Sequence, residues 1–231
     1  MKNAKVSGHL SLATYFRLLI PNVLSEGIEK ALYLDCDVVV ERDVGALCDL
    51  DPGGHYVLAA QDLAVPVVSS PMGLKLYKEL GLDGSKKYLN AGVMLMNLKK
   101  WRDNGISKRV VAYIRENEES IQFCDQDGIN AIIPGQWGEF DPRWNQMSQI
   151  YGLSSYRESP YDQERFEKLL RDPYIRHFSA SAKPWNHQGS NRNMSRFFYY
   201  LKRTAFAHDL KRPFRATLFG RILDRSLRAL R

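Results

Sequence analysis

The sequence predicts an α/β fold, and three observations carry that expectation. Apolar runs at 31–40, 56–60 and 88–97 have the length and the β-branched or small-residue content of strands buried on both faces of a sheet. Segments with helical periodicity, at 11–24, 98–116 and 125–133, separate or follow them. The second run closes on Gln61-Asp62, a polar pair at a strand's C-terminal end, where open α/β sheets hold ligands. With 231 residues the chain can bury a sizeable core, as one α/β domain or as a domain with a tail.

Residues 11–24 place Leu12, Tyr15, Leu18, Leu19 and Val23 at helical spacing, with Pro21 near the end of the pattern. By spacing alone Arg17 is a solvated charge on that helix. Run 31–40 is interrupted by Asp35 and Asp37. Side chains alternate along a strand, so both carboxylates point one way and Cys36 the other. Burying an unpaired carboxylate is costly. Two that converge at a strand end make a seat for a hard divalent cation; the plainer alternative is a pair of aspartates capping a turn.

Segment 44–50 reads as a short helix or turn, and Asp51-Pro52-Gly53-Gly54 as a loop. Segment 65–84, broken by Pro66, Pro71, Gly73, Gly81 and Gly84, reads as a loop with a short helix near 75–80, either a lid or a surface excursion. Asn90 precedes Ala91 and Gly92, small residues that let another group approach the backbone. Asp125 and Asp127 open a helical stretch, where acids suit the dipole and capping is the plain reading. Asp141-Pro142-Arg143-Trp144-Asn145 is a polar turn with an aromatic anchor, and within 151–170 only 165–170 is expected to be helical. Ile175-Arg176-His177-Phe178 is a short strand. The small-residue loop after it, followed by Lys183, can wrap a phosphate and offer it a cation. A lone His such as His177 is, by itself, more often a packing residue than a ligand.

The net charge of +7 is unevenly placed. Segment 202–231 holds nine basic residues and two acidic ones, Asp209 and Asp224, a difference that equals the whole net charge. The neutral body argues against a nucleic-acid partner. In the tail, Phe214, Leu218, Ile222 and Leu230 share a face bordered by Arg215, Arg221, Arg225 and Arg228. That pattern reads as a helix on a membrane surface, or as one that packs its stripe on the domain. No run approaches about 18 apolar residues, so no membrane-spanning helix is expected. The start, Met1-Lys2-Asn3-Ala4-Lys5, does not lead into an apolar core of a signal peptide. Cys36, Cys48 and Cys124 form no C-x-x-C, which points to reduced thiols in a cytosolic setting rather than a disulfide frame or a zinc site.

Ser11-x-x-x-Tyr15-x-Arg17, Tyr33-Leu34-Asp35-Cys36-Asp37, Leu89-Asn90-Ala91-Gly92-Val93, Asp125-Gln126-Asp127 and His177-x5-Lys183-Pro184-Trp185 stand in this order along the chain. Together they resemble glycosyltransferase family 8, which includes bacterial lipopolysaccharide galactosyl- and glucosyltransferases and glycogenin. The resemblance implies a GT-A fold, a Rossmann-like mixed sheet flanked by helices, occupying residues 1–195 ahead of a basic amphipathic tail at 196–231. It implies a UDP-glucose or UDP-galactose donor, Mn2+ (or Mg2+) at the diphosphate, and transfer with retention of anomeric configuration to a glycan or lipid-linked saccharide. It implies Asp35, Asp37 and His177 as metal ligands, Lys183 on the diphosphate and Arg17 on the donor. Asn90, Ala91, Asp125 and Gln126 would line the donor sugar, Gln126 beside the anomeric carbon, and Asp62 would lie near the acceptor. Ala180 stands in the phosphate loop where the family has Gly, a strained exchange if that position needs φ > 0. With the tail, the resemblance places the protein at the inner face of the cytoplasmic membrane.

In the family, a first strand and helices precede the Ser-x-x-x-Tyr-x-Arg segment, whereas ten residues precede Ser11 here. Roughly 60 residues, about two βαβ units, are then expected to be missing, leaving an open sheet edge. Two further readings compete with an active enzyme: a truncated or degenerate paralogue that keeps a metal and diphosphate site without catalysis, and a membrane-surface binding module acting through the tail.

Overall fold

The computed structural model describes residues 12–181, 183–186 and 194–208. Ser11 and the tail stripe of Phe214, Leu218, Ile222 and Leu230 lie outside the described residues. A 3₁₀ stretch, Leu12–Leu19, runs into the short helix α1 (Ile20–Val23). Then come β1 (Lys30–Leu34), β2 (Val38–Val40), the single turn α2 (Gly45–Cys48), β3 (Val57–Gln61) and β4 (Leu89–Asn97). Helices α3 (Leu98–Asp103), α4 (Ile106–Glu116) and α5 (Cys124–Ile132) follow. The chain continues through β5 (Gly138–Glu139), β6 (Gln146–Met147), α6 (Gln163–Arg171) and β7 (Ile175–His177) to α7 (Met194–Leu201).

The main sheet has the order β1-β4-β3-β5, with β4 antiparallel to both neighbours and β5 parallel to β3. A second, smaller sheet has the order β2-β7-β6. Strands β3 and β4 are buried on both faces, which is why their sequences read as continuous apolar runs. Val57, Ala59, Met94 and Met96 face one core with Tyr15, Trp101, Val110 and Ile129. Leu58, Ala60, Val93 and Leu95 face a second core with Trp144, Met147, Phe166 and Leu169. Helix α7 spans the 195/196 boundary expected for the tail, and its Met194 and Phe198 are buried against the body. Arg196 of α7 and Arg176 of β7 both donate to the Glu41 carboxylate.

The structure corrects the sequence reading in three places. Run 31–40 is not one strand: it breaks at 35–37, its first half joining the main sheet and its second half the smaller one. An unbroken strand would keep both carboxylates inside a ladder, whereas the turn delivers them to the junction of two sheets. β1 is only partly buried and, among the described residues, pairs with β4 alone. Second, Leu19 and Val23 are exposed while Tyr15, Leu18 and Pro21 are buried. These buried residues are three apart, the period of a 3₁₀ helix and not of an α-helix. Third, 75–80 is a series of turns rather than a helix.

One side chain fixes how α1 meets β1. Arg102 of α3 donates from Nε to Pro21 O (2.6 Å), from Nη1 to Glu26 O and Ile28 O (3.3 and 3.0 Å), and from Nη2 to Leu24 O and Ser25 O (3.2 and 3.1 Å). These five carbonyls use every donor a guanidinium has. Lysine carries the same charge but no planar fork. Arg102→Lys is therefore expected to lower unfolding free energy by about 1–3 kcal/mol in a urea titration. A loss below about 0.5 kcal/mol would show that water replaces the fork at no cost.

Candidate active site

Residues 91–93 of β4 have no partners on β3. Ala59 pairs with Met94 but Ala60 pairs with Asn90, so the intervening residues bow out of register. On the opposite side the Gly92 carbonyl accepts from the Asp35 N–H at 2.8 Å. The freed backbone of Ala91 is taken up by side chains: its carbonyl accepts from Arg17 Nη1 at 2.5 Å, and its N–H donates to Gln126 Oε1 at 2.9 Å. A Cβ on Gly92 would stand 2.2 Å from His177 Cε1, so only glycine lets the imidazole lie there.

The small sheet brings His177 to this point. Val38 pairs with His177 across β2 and β7, and Phe178 N–H donates to Asp37 O at 2.9 Å. His177 Nε2 is then 3.3 Å from Asp37 Oδ1 and 3.8 Å from Asp35 Oδ2. Each aspartate turns its other oxygen to a cationic side chain. Asp35 Oδ1 meets Arg17 Nη2 at 2.9 Å and the Tyr33 hydroxyl at 2.7 Å. Asp37 Oδ2 accepts from Lys183 Nζ at 2.6 Å, and Lys183 also donates to Phe178 O. Burial alone would raise the Asp37 carboxyl, but the partners around it, the Lys183 ammonium among them, outweigh it and hold the group well below the usual carboxylate range.

This geometry fits a divalent cation. Ligand atoms of Asp35, Asp37 and His177 lie within 4.8 Å of one another. Asp37 Oδ1 is buried without a hydrogen-bond partner, and an ionised oxygen in that state is costly unless a cation meets it. Two carboxylates and an imidazole form the mixed oxygen and nitrogen set that Mn2+ accepts, with Mg2+ as the harder alternative.

Arg17 is buried, not solvated as its spacing alone implied. It stands 2.9 Å from both Asp35 and Asp125, and its guanidinium lies over the Tyr33 ring at 4.5 Å. Asp125 Oδ1 also accepts from Thr14 Oγ1 at 2.6 Å. Burial pushes the Asp125 carboxyl up, against the pull of Arg17 and Thr14. Asp127 plays the structural part expected of both acids: it accepts from the backbone N–H groups of Gln122 (2.6 Å) and Phe123 (3.0 Å) and from the Tyr88 hydroxyl (2.5 Å), holding the turn into α5. Cys124, directly before Asp125, has φ = 50°. A side chain held there is strained, and the turn it makes aims Asp125 and Gln126 inward. Among the described residues no other non-glycine has a positive φ, so Ala180 does not carry the strain its place in the loop raised.

Asp62, Asn90 and Gln126 form one network. Asp62 Oδ2 accepts from Asn90 Nδ2 (2.8 Å) and Gln126 Nε2 (3.1 Å), while Oδ1 accepts from the N–H groups of Ala64 and Val65. Sequence reasoning missed Asn145. It follows β5 in a 3₁₀ turn, is fully buried, and bridges Asn90 Oδ1 (2.9 Å) to His177 Nδ1 (2.8 Å). It also missed Thr14 and Tyr33 as partners of the acids.

Comparison with known proteins follows the geometry. The family model described as "Glycosyl transferase family 8" matches residues 1–189. General stress protein A of Bacillus subtilis is 30% identical over 206 residues, covering 88% of this chain and 69% of that protein. Lipopolysaccharide 1,2-glucosyltransferase of Escherichia coli is 28% identical over 179 residues, covering 76% of this chain and 50% of that protein; the chain thus spans half of that relative's length. The crystal structure of galactosyltransferase LgtC in complex with donor and acceptor sugar analogues superposes with a TM-score of 0.71 at 26% identity, covering 96% of this chain and 75% of that one. The mixed sheets flanked by helices are similar to that structure's, so the chain has a GT-A fold and belongs to glycosyltransferase family 8.

Proposed function

We propose that the protein is a metal-dependent, retaining hexosyltransferase that moves glucose or galactose from a UDP-sugar to a glycan or lipopolysaccharide-type acceptor. The observation that carries this reading is the convergence of Asp35, Asp37 and His177 around an unpartnered buried carboxylate oxygen, flanked by Arg17 and Lys183. A divalent ion held by those three would act as a Lewis acid on the leaving diphosphate. Lys183 supplies a second positive charge where negative charge develops, the kind of fixed electrostatic aid that contributes most to such reactions. Ala180, in the loop between His177 and Lys183, lies along the diphosphate. Arg17 is held rigid by Asp35, Asp125 and the Ala91 carbonyl, so it meets the donor in one orientation.

Gln126 and Asp125 take the sugar side. The Gln126 amide is fixed by Ala91 and Asp62, and it stabilises positive charge at the anomeric carbon rather than attacking it. Asn90 and Ala91 border the donor sugar, and Asp62 lies toward the acceptor. The acceptor hydroxyl attacks the face from which UDP departs: the bond from the anomeric carbon to the phosphate oxygen breaks, the bond to the acceptor oxygen forms, and the hydroxyl proton passes to the departing phosphate. The residue assigned beside the anomeric carbon is Gln126, a poor nucleophile, where a retaining glycosidase has its second carboxylate, which favours this front-face route.

Association with the inner face of the cytoplasmic membrane through 196–231 belongs to the same proposal. None of the described helices is long and apolar enough to cross a membrane. Trp185 and Phe206 are exposed, and large apolar side chains in a basic segment suit an anionic interface.

Calorimetric titration with UDP is expected to give micromolar binding that requires Mn2+ and is lost in Asp35→Ala and Asp37→Ala. No binding by the folded wild type sinks the enzyme reading; binding with neither hydrolysis nor transfer across a panel of UDP-sugars selects the non-catalytic one. Gly92→Ala, which drives a methyl into the imidazole, is expected to weaken Mn2+ binding by about 10–100-fold in a UDP-supported titration. Unchanged affinity would show that His177 does not ligate. Deleting 196–231 should abolish flotation with vesicles rich in anionic lipid, and retention of flotation would place the contact elsewhere.

A further inference from the structure

We infer that Asn145 is a positioning residue that holds His177 as its Nδ1–H tautomer, leaving the Nε2 lone pair aimed at Asp35 and Asp37. The argument runs through groups whose hydrogen-bond direction is not free. Asp62 receives four hydrogen bonds, from the N–H groups of Ala64 and Val65 and from the side-chain amides of Asn90 and Gln126, so it acts purely as an acceptor. Asn90 must therefore present its Nδ2 to Asp62. Its Oδ1 is fixed independently, because the backbone N–H of Gly92 can only donate and does so to that oxygen at 3.0 Å. Asn145 meets the same Asn90 Oδ1 at 2.9 Å, and only its Nδ2 can donate there. Its Oδ1 is thereby turned to His177 Nδ1 at 2.8 Å. A carbonyl oxygen only accepts, so the proton sits on Nδ1.

A neutral ring protonated at Nδ1 has an unprotonated Nε2. That nitrogen faces Asp37 Oδ1 at 3.3 Å and Asp35 Oδ2 at 3.8 Å, and Asp37 Oδ1 has no hydrogen-bond partner. Lone pairs on all three atoms then converge on one point, the condition for ligating a cation. In metal sites generally, the partner of the second ring nitrogen fixes tautomer and ring orientation. Here the direction originates in Asp62, on the acceptor side of the site, and passes through two buried amides. This inference gives the metal-site reading above its atomic basis and rests on it for its purpose, but the tautomer itself is measurable without metal.

The test is a multiple-bond 15N–1H correlation on protein labelled with 15N-histidine, free of metal and nucleotide, at about pH 8, above the ordinary histidine range. His177→Gln identifies the His177 signals by their loss. The wild type is expected to show a protonated Nδ1 and a bare Nε2. Asn145→Ala should move the proton toward Nε2 and weaken Mn2+ binding in the presence of UDP by about 10–100-fold. Asn145→Asp, which keeps an acceptor at Nδ1, should retain the Nδ1–H signature. A wild-type ring protonated at Nε2, or at both nitrogens, overturns the inference whatever the variants do to folding. So does an Asn145→Ala ring that keeps its proton on Nδ1. An Nδ1–H ring in a protein that binds no Mn2+ with UDP would uphold the tautomer and overturn the donor-site reading instead.

Discussion

The site depends on a local failure of strand pairing. If β3 and β4 stayed in register, the backbone at 91–93 would be spent on the ladder and closed to side chains. Because Ala60 pairs with Asn90 and not Val93, the Ala91 carbonyl and N–H are released to Arg17 and Gln126. Gly92 leaves the hollow that His177 fills. Strand β4 is thus a core element along most of its length and the floor of the polar cluster at one point, and the bulge separates the two parts.

Charge balance is the second constraint. Asp35, Asp37 and Asp125 meet in a space that excludes much of the solvent, and ionised carboxylates survive there only with partners. Arg17 serves Asp35 and Asp125, while Lys183 serves Asp37. The two cations sit on the outer oxygens and leave the inner ones toward His177. A cation bound at the inner oxygens would therefore add charge where the protein has supplied none, without competing for the same atoms.

How much of this was legible in the sequence divides along physical lines. Strands β3 and β4 were readable because burial on two faces writes a continuous apolar run. The helical stretch 98–116 was readable by its period, but the structure divides it at Gly105, whose φ of 57° a side chain would resist. The acids, His177 and Lys183 were legible as a set only through the family resemblance that their motifs carry, and the structure brings them together. The rupture at 35–37 was not legible, because apolar residues on both sides suit either one strand or two. Nor was the 3₁₀ winding that buries Tyr15 and Leu18, since a three-residue step and a 3.6-residue step diverge slowly over so short a segment. The burial of Arg17 and the role of Asn145 are decided by partners far away along the chain, and no local pattern encodes a register shift in another strand.

The contact between Asp37 and Lys183 joins residues 146 positions apart. The geometry that could hold a metal therefore cannot exist in any locally folded part of the chain, because it needs both ends of that long-range contact. Whatever binds there draws its free energy from the same closure and returns it to the whole domain, since a ligand that recognises only the folded state stabilises it by mass action. The site works as a clasp between the two sheets, and its occupancy reports on the integrity of nearly the full described chain.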